Sequence, residues 1–137
     1  MVATAVERNT PTRDGRNYSD PVEAASKLLG GTIACLNAAG NAVPGTTALN
    51  LKAIGRVRTT ADNTGGAAAA INVETETGRF RFANSAAGDL ITKADMQADC
   101  YIVDNQTVAK TNGGGTRSIA GKIVDVDAQG VWVRFDR

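Results

Sequence analysis

Histidine is absent from all 137 residues, which removes the commonest general base near neutral pH and the commonest metal ligand. Ser/His/Asp and Cys/His catalytic sites are therefore excluded. The two cysteines, Cys35 and Cys100, have neither a Cys-x-x-Cys spacing nor histidines to complete a zinc set. What remains is carboxylate chemistry. Asp125 and Asp127 lie two apart, as do Glu74 and Glu76, so each pair would share one face of a strand. Close carboxylates can divide the roles of acid and base, but on an antiparallel strand such a pair is far more often a solvated face. Asp125-x-Asp127 also lacks the further ligands and closing Glu of a calcium loop. Gly113-Gly114-Gly115-Thr116 is not followed by Gly-Lys-Ser/Thr, so it reads as a hairpin tip rather than a phosphate loop. The expectation is no catalytic residue, no metal, no cofactor and no enzymatic activity.

The side chains that stand out are suited to contact. In the run from Val131 to Phe135, alternation puts Val131, Val133 and Phe135 on one face and Trp132 with Arg134 on the other. Trp and Arg are enriched at interface hot spots. The competing reading, of equal weight, buries both faces or sets Trp132 over a barrel end. Arg79 and Arg81 read as solvated positions. Residues 1–19 carry no hydrophobic period, but they do carry Arg8, Arg13, Arg16 and Tyr18. They read either as a disordered end or as an extended N-terminal arm that orders on a neighbour.

The elements that must position these residues are short strands. Asp20, Pro21 and Glu23 have the chemistry of a helix start, yet Val22, Ala24, Ser26 and Leu28 alternate with Glu23, Ala25, Lys27 and Leu29. Strands on either side of Gly30-Gly31 are the expectation, against a local propensity for helix. Leu49 to Thr59 should be a strand with Leu51, Ala53, Gly55 and Val57 on one face. Gly55, lacking a side chain to pack, marks a bulge or a close backbone approach. Ile71 to Thr77 follows, then a tight turn at Gly78 into Arg79–Phe82, with Phe80 and Phe82 inward. Thr92 and Asp95 could cap one short helical turn. Cys100 to Val103 and Thr107 to Lys110 form strands, and Ile119 to Val126 with Val131 to Phe135 forms a closing hairpin. Gly55-Arg56-Val57 and Gly121-Lys122-Ile123 hint at similar corners, but two matches do not make a repeat. The predicted fold is all-β: a small antiparallel sandwich or barrel at 20–137 behind an extended N-terminal arm at 1–19.

Composition bounds the rest. Aromatics make up 4% of the chain, so the core must be built from Val, Ile, Leu and Ala with a few Phe. A net charge of +1 argues against a dedicated nucleic-acid binder. No apolar run is long enough to span a membrane. The N-terminus lacks an apolar signal segment and carries charges early, so synthesis in the cytoplasm is expected, with both cysteines reduced.

Four stretches in order carry a resemblance. They are GRV at Gly55–Val57 leading to DNTGGAA from Asp62, then YIVD at Tyr101 followed by QTVA at Gln106, then GGTRSIAGKIVDVD from Gly114, then GVWV at Gly130–Val133. Together, over Leu28 to Phe135, the chain resembles the capsid cement (decoration) proteins of tailed bacteriophages. The resemblance implies a structural virion protein, made in the bacterial cytoplasm and placed on the outer capsid surface. Its partners would be the major capsid protein and further copies of itself, as a dimer or trimer at a local symmetry axis. Arg8, Arg13, Arg16, Tyr18, Trp132 and Arg134 are then the candidate interface residues. The alternative is a nucleic-acid-binding small β-barrel, which needs a basic face with stacking aromatics.

Overall fold

The computed structural model describes residues 2–137. Residues 2–16 are exposed and lie outside any strand or helix. From there the regular structure is strand throughout except for two short 3-10 turns at Ala87–Asp89 and Lys93–Asp95, with turns and loops between the strands. The second turn carries the expected Thr92–Asp95 capping box.

Ten strands make two five-stranded antiparallel sheets. The first contains β1 (Asn17–Pro21), β3 (Ile33–Leu36), β4 (Ala42–Pro44), β5 (Lys52–Val57) and β7 (Asn72–Glu76), in the spatial order β1-β7-β5-β3-β4. The second contains β8 (Gly78–Phe82), β9 (Asp99–Ile102), β10 (Val108–Ala109), β11 (Ile119–Asp127) and β12 (Gly130–Phe135), in the order β8-β12-β11-β9-β10. Two further short strands, β2 (Lys27–Leu28) and β6 (Ala61–Asp62), pair with each other.

The two sheets share one topology. In each, the first strand visited lies beside the fifth, then come the fourth, the second and the third. In each, the residue just after the first strand forms a parallel bridge near the third, Val22 to Ala42 and Ala83 to Thr107, so the edges curl toward one another. The registers also match. A bulge leaves Ile54 unpaired on β5 and Ala120 unpaired on β11, each followed by glycine. A β-carbon on Gly55 would stand 2.4 Å from the Glu76 carbonyl oxygen, and one on Gly121 would stand 2.3 Å from the Arg134 carbonyl oxygen. The resemblance between Gly55-Arg56-Val57 and Gly121-Lys122-Ile123 is thus structural equivalence. The chain is two like modules joined at Thr77.

Each module has its own core. Val22, Ala34, Ala42, Ile54, Val57 and Val73 fill the first. Cys100, Val108, Ala120, Ile123 and Val131 occupy the equivalent places in the second, joined by Phe82, Val133 and Phe135. The modules meet through β3, whose Ile33 and Cys35 belong to the second core while Ala34 between them belongs to the first.

Several expectations need correction. Strands do flank Gly30-Gly31, at Lys27–Leu28 and Ile33–Leu36, with no helix at 21–29, but they do not pair as a hairpin, because β2 joins β6 while β3 joins β4 and β5. Gly78 does not turn β7 back on β8; those strands lie in different sheets and the glycine marks the module junction. The bulge at Ile54 shifts the phase of β5, so Ile54 and Val57 both reach the first core while Ala53 packs on the second. The sheet starts at Asn17, three residues before the expected boundary. Phe82 is buried, Phe80 is partly buried, and Arg79 and Arg81 are exposed, as the alternation implied.

The close approach at the bulges sets a test. Gly121→Ala forces a β-carbon onto a ladder carbonyl and should lower stability by at least about 2 kcal/mol. Gly88→Ala, at an exposed position with no atom near its β-carbon, should change stability by less than about 1 kcal/mol. Urea unfolding followed by Trp132 emission measures both.

Candidate functional site

The carboxylate pairs are engaged separately and make no shared site. Asp125 is held by Lys93, and Asp127 accepts from the Gln129 and Gly130 amides at 2.8 and 3.1 Å. Glu74 meets Arg58 at 3.5 Å, and Glu76 meets Arg16 at 3.2 Å and Arg56 at 2.9 Å. Among the described residues, no group of three or more His, Cys, Asp or Glu is placed to hold a metal ion, and no helix is long and apolar enough to cross a membrane. Cys35 and Cys100 are free and buried, and burial pushes each thiol up to about 12, far from the reactive thiolate form.

The surface side chains gather on two faces. On the first module, β1 carries Tyr18. The Arg13 guanidinium lies 5.9 Å from its ring centroid and that of Arg137 lies 4.4 Å away. These residues line a shallow depression of about 440 Å³ with Arg58 and Glu74. Arg137 reaches this place because Asp20 draws it: its two guanidinium nitrogens donate to the carboxylate at 2.6 and 3.0 Å. Asp20 is only 7% exposed, and Thr75 beside it is fully buried. By register, the second module has Phe82 in place of Asp20 and Val133 in place of Thr75. The polar end of the first module is thus closed by a residue from beyond the second, and the ion pair raises the arginine's pKa further.

On the second module, Val131, Val133 and Phe135 are buried, which leaves Trp132 half-buried on the outer face with Arg134. The Trp132 indole N–H donates to the Asp127 carboxylate at 3.0 Å, and Arg81 stands 5.8 Å over the ring. That indole bond is the largest cause holding the Asp127 carboxyl below its ordinary value. Arg134 meets Asp136 at 3.1 Å.

Of the residues singled out from sequence, Arg13 and Tyr18 share the first depression. Arg16 and Arg134 share another, of about 450 Å³, across the module junction. Arg8 lies in the exposed segment and lines neither. Sequence reasoning missed Asp20, Arg137 and Arg79. The alternation in β8 placed Arg79 outward, but nothing in the sequence marked its cross-strand neighbours.

Two measurements follow from this geometry. Arg137→Ala leaves a buried carboxylate without its cation and should cost about 2 kcal/mol of stability. Adding Asp20→Asn removes the stranded charge and should recover part of that loss in the same urea titration. Second, Asp127 has a folded pKa below the ordinary 3.8. Its contribution to stability is full above 3.8 and is lost as pH falls through the folded value. Emission from Trp132 should therefore change with a midpoint below 3.8, and Asp127→Asn should abolish that step.

No protein-family model, curated protein or solved structure matches this chain.

Proposed function

We propose that the chain is a capsid cement protein of a tailed bacteriophage, bound to the outer surface of an icosahedral shell. It bridges neighbouring major capsid protein subunits and associates with further copies of itself around a local symmetry axis. The observation that carries this reading is one body with two separate aromatic–arginine faces, Tyr18 with Arg13 and Arg137 on one module and Trp132 with Arg81 on the other. Bridging requires two contact faces held in fixed relation, and many such contacts around a shell add by multivalency. The sequence resemblance in the strands and turns of both modules supports the same reading. The work done is burial of surface between subunits, with no chemical step.

Residues 2–16 fit the role of an arm. They are exposed and carry Arg8, Arg13 and Arg16. Fully extended, they reach about 50 Å, enough to cross onto an adjoining subunit. Ordering them costs roughly 1–2 kcal/mol of backbone entropy per residue, which contacts on a partner must offset.

The test is co-sedimentation with shells purified without this protein. At physiological salt the chain should pellet with the shells, and deleting residues 2–12, which spares Arg13 at Tyr18 and Arg16 at Glu76, should weaken binding while leaving the urea midpoint unchanged. Recovery of the intact chain wholly in the supernatant would reject the reading.

A further inference from the structure

The two modules, being equivalent in register, can be compared position by position on their outer faces. Across β1, β7 and β5 the first module aligns Asn17, Glu76 and Arg56. Here Glu76 is an internal carboxylate, its side chain 17% exposed, held between Arg16 and Arg56. Across β8, β12 and β11 the second module aligns Arg79, Arg134 and Lys122. An arginine stands where the first module has its carboxylate, and three cations lie side by side.

Two of them are answered locally, Lys122 by Asp99 at 2.8 Å and Arg134 by Asp136 at 3.1 Å. Among the described residues no carboxylate lies within ion-pair distance of Arg79. Its direct cross-strand neighbour is the like-charged Arg134, an arrangement that destabilises a sheet unless an anion joins it. The three cations line a depression of about 390 Å³, with Ile123 and Val124 among its lining and Met96, 37% exposed, at its side. A second depression runs from Arg79 to Trp132.

We propose that this row is a docking cleft for a carboxylate of a partner protein, an Asp or Glu side chain from an acidic loop of a neighbouring shell subunit. The partner supplies to Arg79 and Arg134 what Glu76 supplies within the first module. Guanidinium forks bind carboxylates in a bidentate manner, and Met96, Val124 and Trp132 offer apolar contact to the rest of the loop. The surroundings select a single carboxylate over a polyanion. Asp99 and Asp136 border the row through their ion pairs, Asp125, held by Lys93, lines the second depression with Arg79, and Asp127 sits beside Trp132, so a nucleic-acid backbone tracking the face would run over four anions.

This inference rests on the proposed role in a shell, and its test separates the two. The full-length chain, Arg79→Glu and Arg79→Lys are each sedimented with shells lacking the protein and titrated with a Glu-rich peptide and with oligothymidylate, following Trp132 emission. Arg79 is exposed, so equal urea midpoints establish that the variants fold. Arg79→Glu should lose about tenfold or more in affinity for both shells and peptide, the scale of one charge-assisted contact, and Arg79→Lys should lose less. Wild-type-like shell binding by Arg79→Glu overturns the cleft and leaves the cement role standing. Peptide binding that depends on Arg79, without shell binding by the wild type, upholds the cleft's chemistry and rejects both the cement role and the shell subunit as its partner. Arg79-dependent binding of oligothymidylate that exceeds binding of the peptide overturns the cleft in favour of nucleic acid.

Discussion

Strand β3 has no face turned to water, and the rest of the architecture depends on that. Ile33 and Cys35 point into the second core while Ala34 points into the first. Pulling the modules apart would expose Ile33 and Cys35, and full burial of one aliphatic side chain is worth about 1.5–3 kcal/mol. A chain with so few aromatics has no large side chains to spread across a wider joint, so β3, joined by Ala53 of β5 and Val43 of β4, serves both interiors. The consequence on the surface is rigidity, since the Tyr18 and Trp132 faces belong to modules that share a strand and keep one fixed relation.

The duplication also separates what the backbone demands from what side chains are free to do. Both modules keep the strand order, the bulge and the bulge glycine, because ladder hydrogen bonds and the approach of a neighbouring carbonyl leave no alternative there. The interiors diverge. Phe82 and Phe135 meet edge to face at 5.7 Å in the second module, which closes its end with apolar contact. The equivalent end of the first holds Asp20, Thr75 and Thr77; the ion pair with Arg137 answers the Asp20 charge, while the buried Thr75 hydroxyl has no partner.

Much of this was legible in the sequence where the period was clean. The alternation in Arg79–Phe82 gave the correct inward and outward sets, in Val131–Phe135 the structure bears out one of two evenly weighted readings, with Trp132 on the outer face, and Gly55 announced its bulge by having nothing to pack. The failures share a cause: the information is not local. Gly30-Gly31 looks like a hairpin turn, but β2 finds its partner in Ala61–Asp62, some thirty residues on. The repeat was hidden because its two copies share only a Gly-cation-aliphatic triplet, while their loops and cores differ. Arg137 and Asp20 are 117 positions apart, and no spacing rule connects them. Arg79 was placed on the right face, but its meaning came from Arg134 and Lys122 in the ladder, and from the Glu76 that its own module lacks.

The distance between Asp20 and Arg137 has a consequence for biosynthesis. A chain made from its N-terminus outward completes β7 long before the arginine that neutralises Asp20 has been added. Until then the first module must keep its polar end hydrated, and β3 must leave Ile33 and Cys35 uncovered because the second core does not yet exist. The first half therefore stays incomplete until the second has folded against it. A truncated product would carry a loosened Tyr18 face, and only full-length molecules would present both faces in the geometry that bridging requires.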